Sequence, residues 1–340
     1  MKLRVGIVGI SDAWETRHRP ALRALADRFD VRAVCVEVGQ RSEQIAREFQ
    51  ATAVDGFRAL AARTDLDAVL VLGSSFFGSL PLLAACEEGK AVYCSTALDI
   101  PPAKARELKK RVDEAGIAFM AELPRRHAPA TLRLKELIAT RLGVPRMLFC
   151  HSRVSVPSPQ SMSKLTYGHP SPDGLRDIVE LIDWCRYVIG HEPSSVVGIE
   201  HRKASGDTLP DYQMMSLDFS PSTAPCTGAL AQLSCGRYMP GKWPEAITFR
   251  PPAALQVACD NGIAFIDLPA TLIWFDEAGR HLESLESERP VGEQLLTHFY
   301  RAVTSLVRKT SDLEDAYHAL QIALAAQTSF NEGRRVAIEF

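Results

Sequence analysis

Short, unbroken apolar runs alternate with amphipathic stretches over roughly the first 120 residues, and this alternation constrains the chain more than any other feature. Leu3–Ile10, Val31–Glu37, Asp67–Leu72, Ala91–Cys94 and Ile117–Ala121 read as strands. Between them lie helical patterns: Leu22, Leu25 and Phe29; Ser42 capping a helix with Ile45 and Phe49; Leu80–Glu88; and Ala103–Ala115. Val- and Ile-rich runs without polar alternation belong to strands buried on both faces, and the helices between them serve as crossovers. The pattern therefore predicts a parallel, doubly wound α/β sheet.

The second half has a different rhythm. A helix near Ala128–Thr140, a strand at Arg146–Val154 and a Ser/Pro/Gly-rich loop, Pro157–Gly174, lead into a strongly periodic helix, Leu175–Ile189. Strands then dominate: Ser195–His201, Tyr212–Phe219, Thr227–Tyr238, Ala254–Cys259, Ile263–Leu268 and Thr271–Phe275, with Asp260-Asn261-Gly262 as a hairpin turn. Helices at Glu293–Val307 and Asp312–Glu332 and a short strand finish the chain. The expectation is an α+β domain on a large, mostly antiparallel sheet, with domains at 1–122 and 123–340. With 340 residues, two domains is also the prior from length.

Charge and cysteine usage exclude several function classes. With 39 Lys+Arg against 41 Asp+Glu there is no basic excess of the kind nucleic-acid binders carry. No apolar run reaches about 18 residues, so no transmembrane helix is expected, and Val5–Ile10 is too short and glycine-broken for a signal peptide. The eight cysteines include no Cys-x-x-Cys and mostly sit in apolar runs; the nine histidines are scattered. That pattern fits buried free thiols in a reducing, cytoplasmic setting and no metal site.

In a doubly wound sheet, ligands bind beyond the carboxyl ends of the strands. The first such end reads Gly6-Ile-Val-Gly9-Ile-Ser11-Asp12-Ala13-Trp14. A dinucleotide turn needs Gly-x-Gly-x-x-Gly so that backbone can approach a pyrophosphate. Gly9 holds its place, while Ser11 and Trp14 stand at the second and third glycine positions; Trp14 obstructs close helix–strand packing unless the turn is rearranged. The alternative is a tight turn that binds nothing. At the end of the second strand Glu37 can accept from ribose hydroxyls, which favours NAD over NADP, or it is a solvated strand-end charge. Arg41 and Ser42 just beyond could instead receive a 2′-phosphate.

Several phrases together resemble the Gfo/Idh/MocA family of glucose–fructose oxidoreductase and inositol dehydrogenase relatives. They are Val5-Gly-Ile-Val-Gly9, His18-Arg-Pro20-Ala-Leu22, Val31-Arg-Ala-Val-Cys35, Asp67-Ala-Val-Leu-Val71, Ala84-Ala-Cys-Glu-Glu-Gly89-Lys-Ala-Val-Tyr-Cys94, Arg126-His-Ala-Pro129 with Leu134-Lys-Glu-Leu-Ile138, and Tyr187-Val-Ile-Gly190-His-Glu-Pro193. The resemblance implies an N-terminal Rossmann domain with NAD or NADP, a C-terminal substrate and oligomerisation domain, and hydride transfer on sugars or polyols. Ser74, Ser75, Ser95 and Glu122 then join Gly9, Ser11, Asp12, Ala13, Trp14 and Glu37 as candidate cofactor contacts.

The same alignment shows where the chain departs from the family. Its Glu-Lys-Pro falls on Ser95-Thr96-Ala97, so a threonine replaces the lysine; its Thr-Pro-Asn-x-x-His loop falls on Gly73-Ser74-Ser75-Phe76-Phe77-Gly78. Its Asp-x-x-x-His-x-x-Asp becomes Arg176-Asp-Ile-Val-Glu180-Leu-Ile-Asp183. At about 100° per residue, Arg176, Glu180, Asp183 and Tyr187 share one stripe of that helix. This stripe is either a solvated face with an i,i+4 pair or, as the resemblance implies, a polyol-binding and acid–base surface. Glu180, Asp183, Arg176 and Thr96 are the candidate catalytic set. Arg126, His127, His151, Tyr167, His169, Tyr238, Lys242 and Trp243 are weaker candidates, Lys242 as a migrated lysine. Three functions stay open: an oxidoreductase with a non-standard site, redox-neutral chemistry with held NAD, and a noncatalytic ligand- or partner-binding member. An uncovered apolar face on the C-terminal sheet is expected to make the protein a homodimer or homotetramer.

Overall fold

The computed structural model describes Lys2–Phe340 apart from residues 74–75, 96–101, 157–174, 203–209, 222, 225–226, 241–242, 244, 247–248, 250, 287 and 306–310. Two compact units result: Met1–Pro124 with Pro290–Tyr317, and Arg125–Thr166 with Pro170–Arg289 and His318–Phe340.

The first unit is built on a parallel sheet of β1 (Leu3–Val8), β2 (Phe29–Cys35), β3 (Thr52–Ala53), β4 (Ala68–Val71), β5 (Ala91–Cys94) and β6 (Phe119–Ala121). The strands run in the order β3-β2-β1-β4-β5-β6. Chain order reverses at β1, which pairs with β2 on one side and β4 on the other. Loops leaving neighbouring strands diverge there and open a crevice, the place where such sheets bind ligands. Every residue of β4 and β5 is buried, as the non-alternating runs require. The core joins Val5, Ile7, Leu70 and Tyr93 of the sheet to Leu295, Leu296 and Phe299 of the helix Val291–Thr304.

In the second unit the strands β7 (Pro145–Val156), β8 (Ser195–His201), β9 (Tyr212–Asp218), β10 (Leu230–Pro240), β11 (Leu255–Cys259), β12 (Gly262–Asp267), β13 (Thr271–Asp276), β14 (Gly279–Ser284) and β15 (Val336–Ala337) form a sheet ordered β14-β13-β12-β11-β7-β10-β9-β8-β15. Only the central β7–β10 pair is parallel among the described pairings. The helix Leu175–Ile189 covers one face, with Ile178, Leu181, Ile182, Cys185 and Val188 fully buried. On the other face Met147, Leu230 and Ile199 are exposed. β14 is a finding the sequence pattern does not announce: Gly-Arg-His-Leu-Glu-Ser is polar because an edge strand needs little apolar cover. Among the described residues no helix is long and apolar enough to cross a membrane.

Candidate functional site

At the carboxyl end of β1, Gly9 adopts φ +63° and its amide donates to the Cys35 carbonyl at 2.9 Å. A Cβ on Gly9 would lie 2.5 Å from the Gly73 carbonyl oxygen, and one on Gly73 would lie 2.5 Å from that of Ile10. The loops after β1 and β4 therefore touch backbone to backbone, and only glycine fits at either point. Trp14 is 2% exposed and packs edge-on to Phe49 at 6.1 Å. Its position is met by a rearranged turn: Trp14–His18 forms a π turn before the helix Arg19–Ala24. The indole is thus core and is not available to a ligand. Ala13 precedes the π turn without side-chain capping, Asp12 is exposed and Ser11 half-buried.

Beyond β2, one carboxylate oxygen of Glu37, Oε1, is buried and has no hydrogen-bond partner among the described residues. A buried unpaired acceptor is costly and is normally satisfied by a donor. The Ser42 hydroxyl is buried and accepts from the Val36 amide at 2.9 Å. The acceptor at Glu37 suits the donor hydroxyls of a ribose, and Gly9 and Gly73 bring the two loop backbones into close contact without side chains at those two positions. These residues fit the adenosine half of a nicotinamide dinucleotide. Ser95 is buried at the end of β5, its amide on the Val71 carbonyl at 2.9 Å. Ser74, Ser75 and Thr96, like Tyr167, His169 and Lys242, lie outside the described residues.

Glu122, just past β6, is buried inside a network that no sequence motif announces. His18 Nε2 donates to its carboxylate at 2.7 Å and the Tyr93 hydroxyl at 2.9 Å, and Arg17 pairs with the other oxygen. Burial alone would raise the carboxyl, but the charges and hydrogen bonds of His18 and Arg17 outweigh it and hold Glu122 down at about 2. Burial, then the Glu122 charge, pushes the Tyr93 phenol well up. The carboxylate expected at the cofactor is thus occupied by its own core.

In the second unit the stripe on Leu175–Ile189 meets two consecutive arginines. Arg126 grips both oxygens of Asp183, with Nε to Oδ2 at 2.8 Å, and Asp183 is 2% exposed. Arg186 approaches the same carboxylate at 3.6 Å and is itself held by Glu192, Nε to Oε2 at 2.6 Å. Glu180 is looser: Arg125 and Arg176 each reach one of its oxygens through Nε at 3.4 Å. Arg125 lies over the Trp184 ring at 5.3 Å and Arg126 over Tyr187 at 5.1 Å. Lys135 covers Tyr187 at 5.4 Å, and burial lowers its ammonium. The structure therefore brings Arg176, Glu180 and Asp183 together. Arg125 joins them unforeseen, the adjacent Arg125-Arg126 pair being the signal that could have found it. His151 stands apart, its Nδ1 on the Ser234 hydroxyl at 2.9 Å.

A glycine-tight strand–turn–helix at the switch point of a parallel sheet, with an acidic residue after β2, is the architecture of a doubly wound, Rossmann-type domain. Residues 3–123 match the model of the Gfo/Idh/MocA family, described as an oxidoreductase family with an NAD-binding Rossmann fold. The chain is 23% identical over 222 residues to the 2,7-anhydro-N-acetylneuraminate hydratase of Escherichia coli K12, covering 64% of itself and 57% of that relative. It thus spans little more than half the length of that curated relative. Levoglucosan dehydrogenase, solved with NADH and levoglucosan, is similar across 100% of both chains with a TM-score of 0.82 at 16% identity. The aldose–aldose oxidoreductase of Caulobacter crescentus, solved with glycerol, has a TM-score of 0.81 at 16% identity, over 99% of this chain and 100% of its own. At such identities these likenesses show the fold.

Proposed function

We propose that the chain is an NAD-dependent oxidoreductase acting on a sugar-like or polyol substrate, with residues 1–122 carrying the cofactor and 123–340 the substrate. The observation that carries this reading is the buried, unpartnered Glu37 oxygen beside the Gly9–Gly73 contact. Bound NAD would supply the hydride acceptor. The chain supplies the rest: Glu37 accepts from the ribose, and the Ser11–Trp14 backbone faces the pyrophosphate. Ser74, Ser75, Ser95 and Thr96 are assigned to the cofactor by family position alone. Glu180, whose arginine contacts are long, is assigned to receive a substrate hydroxyl proton, with Arg176 and Arg125 balancing the developing charge. Asp183, with both oxygens on Arg126, is a positioning residue in this scheme. A sugar substrate agrees with the names of the sugar-acting neighbours.

Titration calorimetry tests the cofactor assignment. NAD+ is expected to bind at least tenfold tighter than NADP+, since the 2′-phosphate would meet the Glu37 carboxylate, and Glu37→Ala should erase that preference. No binding of any nicotinamide dinucleotide at millimolar concentration removes the proposal. The hydratase relative favours a second reading, chemistry without net oxidation. It is recognised by substrate conversion with bound cofactor and no accumulation of reduced dinucleotide at 340 nm. Cofactor binding with no conversion across a panel of sugars and polyols would instead mark a noncatalytic ligand-binding member.

The exposed Met147, Leu230 and Ile199 share one face of the second unit's sheet. A second copy of the chain is assigned to that face, making a homodimer or homotetramer. Light scattering should show such an oligomer for the wild type and a smaller species for the double variant Met147→Glu, Ile199→Lys. A monomeric wild type refutes this assignment.

A further inference from the structure

The family's loop after β4 is replaced here by a sequence with two consecutive phenylalanines, and their placement has a consequence for cofactor recognition. Phe76 is 70% exposed, far more than a large apolar side chain needs to be. Its ring meets Phe77 edge-to-face at 4.9 Å, and Phe77 meets Phe57 at 5.5 Å. Phe57 opens the helix Phe57–Ala61, which packs against β2, and the Val54 amide just before that helix donates to the Val34 carbonyl near the end of β2 at 2.9 Å. The aromatic trio thus borders the strand end that carries the unpartnered Glu37 oxygen. The loop bearing Phe76 and Phe77 leaves β4 through Gly73, the residue in backbone contact with the loop after β1.

We infer that Phe76, backed by Phe77 and Phe57, is the platform on which the adenine of the dinucleotide stacks. This rests on the cofactor reading above and goes beyond it. Glu37 holds the ribose through its hydroxyls, so the base attached to that ribose must lie within reach of the same strand ends. A purine presents two apolar faces, which an exposed phenyl ring matches without hydrogen bonds. Recognition by stacking alone also makes the site tolerant of the base: guanine in place of adenine should be accepted. Apolar contact with another protein is the competing use of the same surface.

Calorimetry with NAD+, ADP-ribose and nicotinamide mononucleotide on wild type, Phe76→Ala and Phe76→Trp decides between them. Loss of one stacking ring should weaken NAD+ and ADP-ribose roughly tenfold or more, and leave nicotinamide mononucleotide unchanged. Phe76→Trp should keep the affinity, and its indole fluorescence should be quenched by ADP-ribose. Because Phe76 is exposed, its removal leaves the fold intact, which a thermal melt verifies. Equal affinity of wild type and Phe76→Ala for ADP-ribose overturns the inference while leaving the cofactor reading standing. Failure of the wild type to bind NAD+ overturns the cofactor reading and this inference with it.

Discussion

Glu122→Gln is expected to lower the stability of the first unit by about 3–5 kcal/mol, the cost of removing one partner from a buried charge cluster. Arg17 and His18 would then face an amide, and the amide nitrogen would compete with the Tyr93 hydroxyl and His18 Nε2 for a place as donor. For a domain of this size the melting midpoint should fall by about 10 °C. The pH dependence follows from the depressed carboxyl. Glu122 is held at about 2 against an ordinary 4.5, so between those values the unfolded chain binds a proton that the folded chain does not. Stability therefore rises with pH across that window, is fully present above about 4.5, and is lost as pH falls toward 2, by about 3 kcal/mol in all. Glu192 is also held at about 2, where the hydrogen bond from Arg186 and the contact with His318 outweigh burial, but it is partly exposed and screened. Urea unfolding of wild type and Glu122→Gln from pH 3 to 7 separates the two. The difference between the proteins should shrink as pH falls, and a constant difference would mean that the carboxylate charge is not what holds the network.

How much of this was legible in the sequence depends on what kind of information each feature needs. β4 and β5 are short, wholly buried runs, and the helix Leu175–Ile189 has a strict apolar face, so the pattern located them closely. β3 and β14 were not legible, because two residues carry no period and a polar edge strand carries little apolar signal. The periodicity of Val291–Thr304 announced an apolar face but not its neighbours: Leu295, Leu296 and Phe299 fill the core beside Tyr93. In the site, Trp14 could be recognised as an obstacle, yet its accommodation by a π turn is a property of three-dimensional packing. Glu122 looked like a ligand contact because its partners, Arg17, His18 and Tyr93, are up to 105 positions away along the chain. Glu180 and Asp183 look alike in the helical stripe. What separates them, a long contact against a bidentate grip, comes from the arginines of another segment.

That difference makes Glu180 and Asp183 the most informative pair to substitute. Asp183→Asn leaves Arg126 and Arg186, both largely buried, facing a neutral amide, and is expected to cost about 3 kcal/mol of stability. Any loss of turnover it causes should be accompanied by a lower melting midpoint, and Arg126→Met with Asp183→Asn should recover part of the stability that either single change removes. Glu180→Gln should do the reverse. Its 3.4 Å contacts with Arg125 and Arg176 are worth a few tenths of a kcal/mol each, so the melting midpoint should move by less than about 2 °C. If Glu180 carries the proton of a substrate hydroxyl, turnover of the best substrate from the sugar and polyol panel should fall by about 10²–10⁴, with cofactor affinity unchanged. Near-normal turnover in Glu180→Gln would reduce the stripe to a salt-bridged helix face. Full stability and full turnover in Asp183→Asn would refute the assignment of Asp183 as the residue that fixes Arg126. The two outcomes are independent because one charge sits in the core and the other at its margin, although both lie within a single turn of helix.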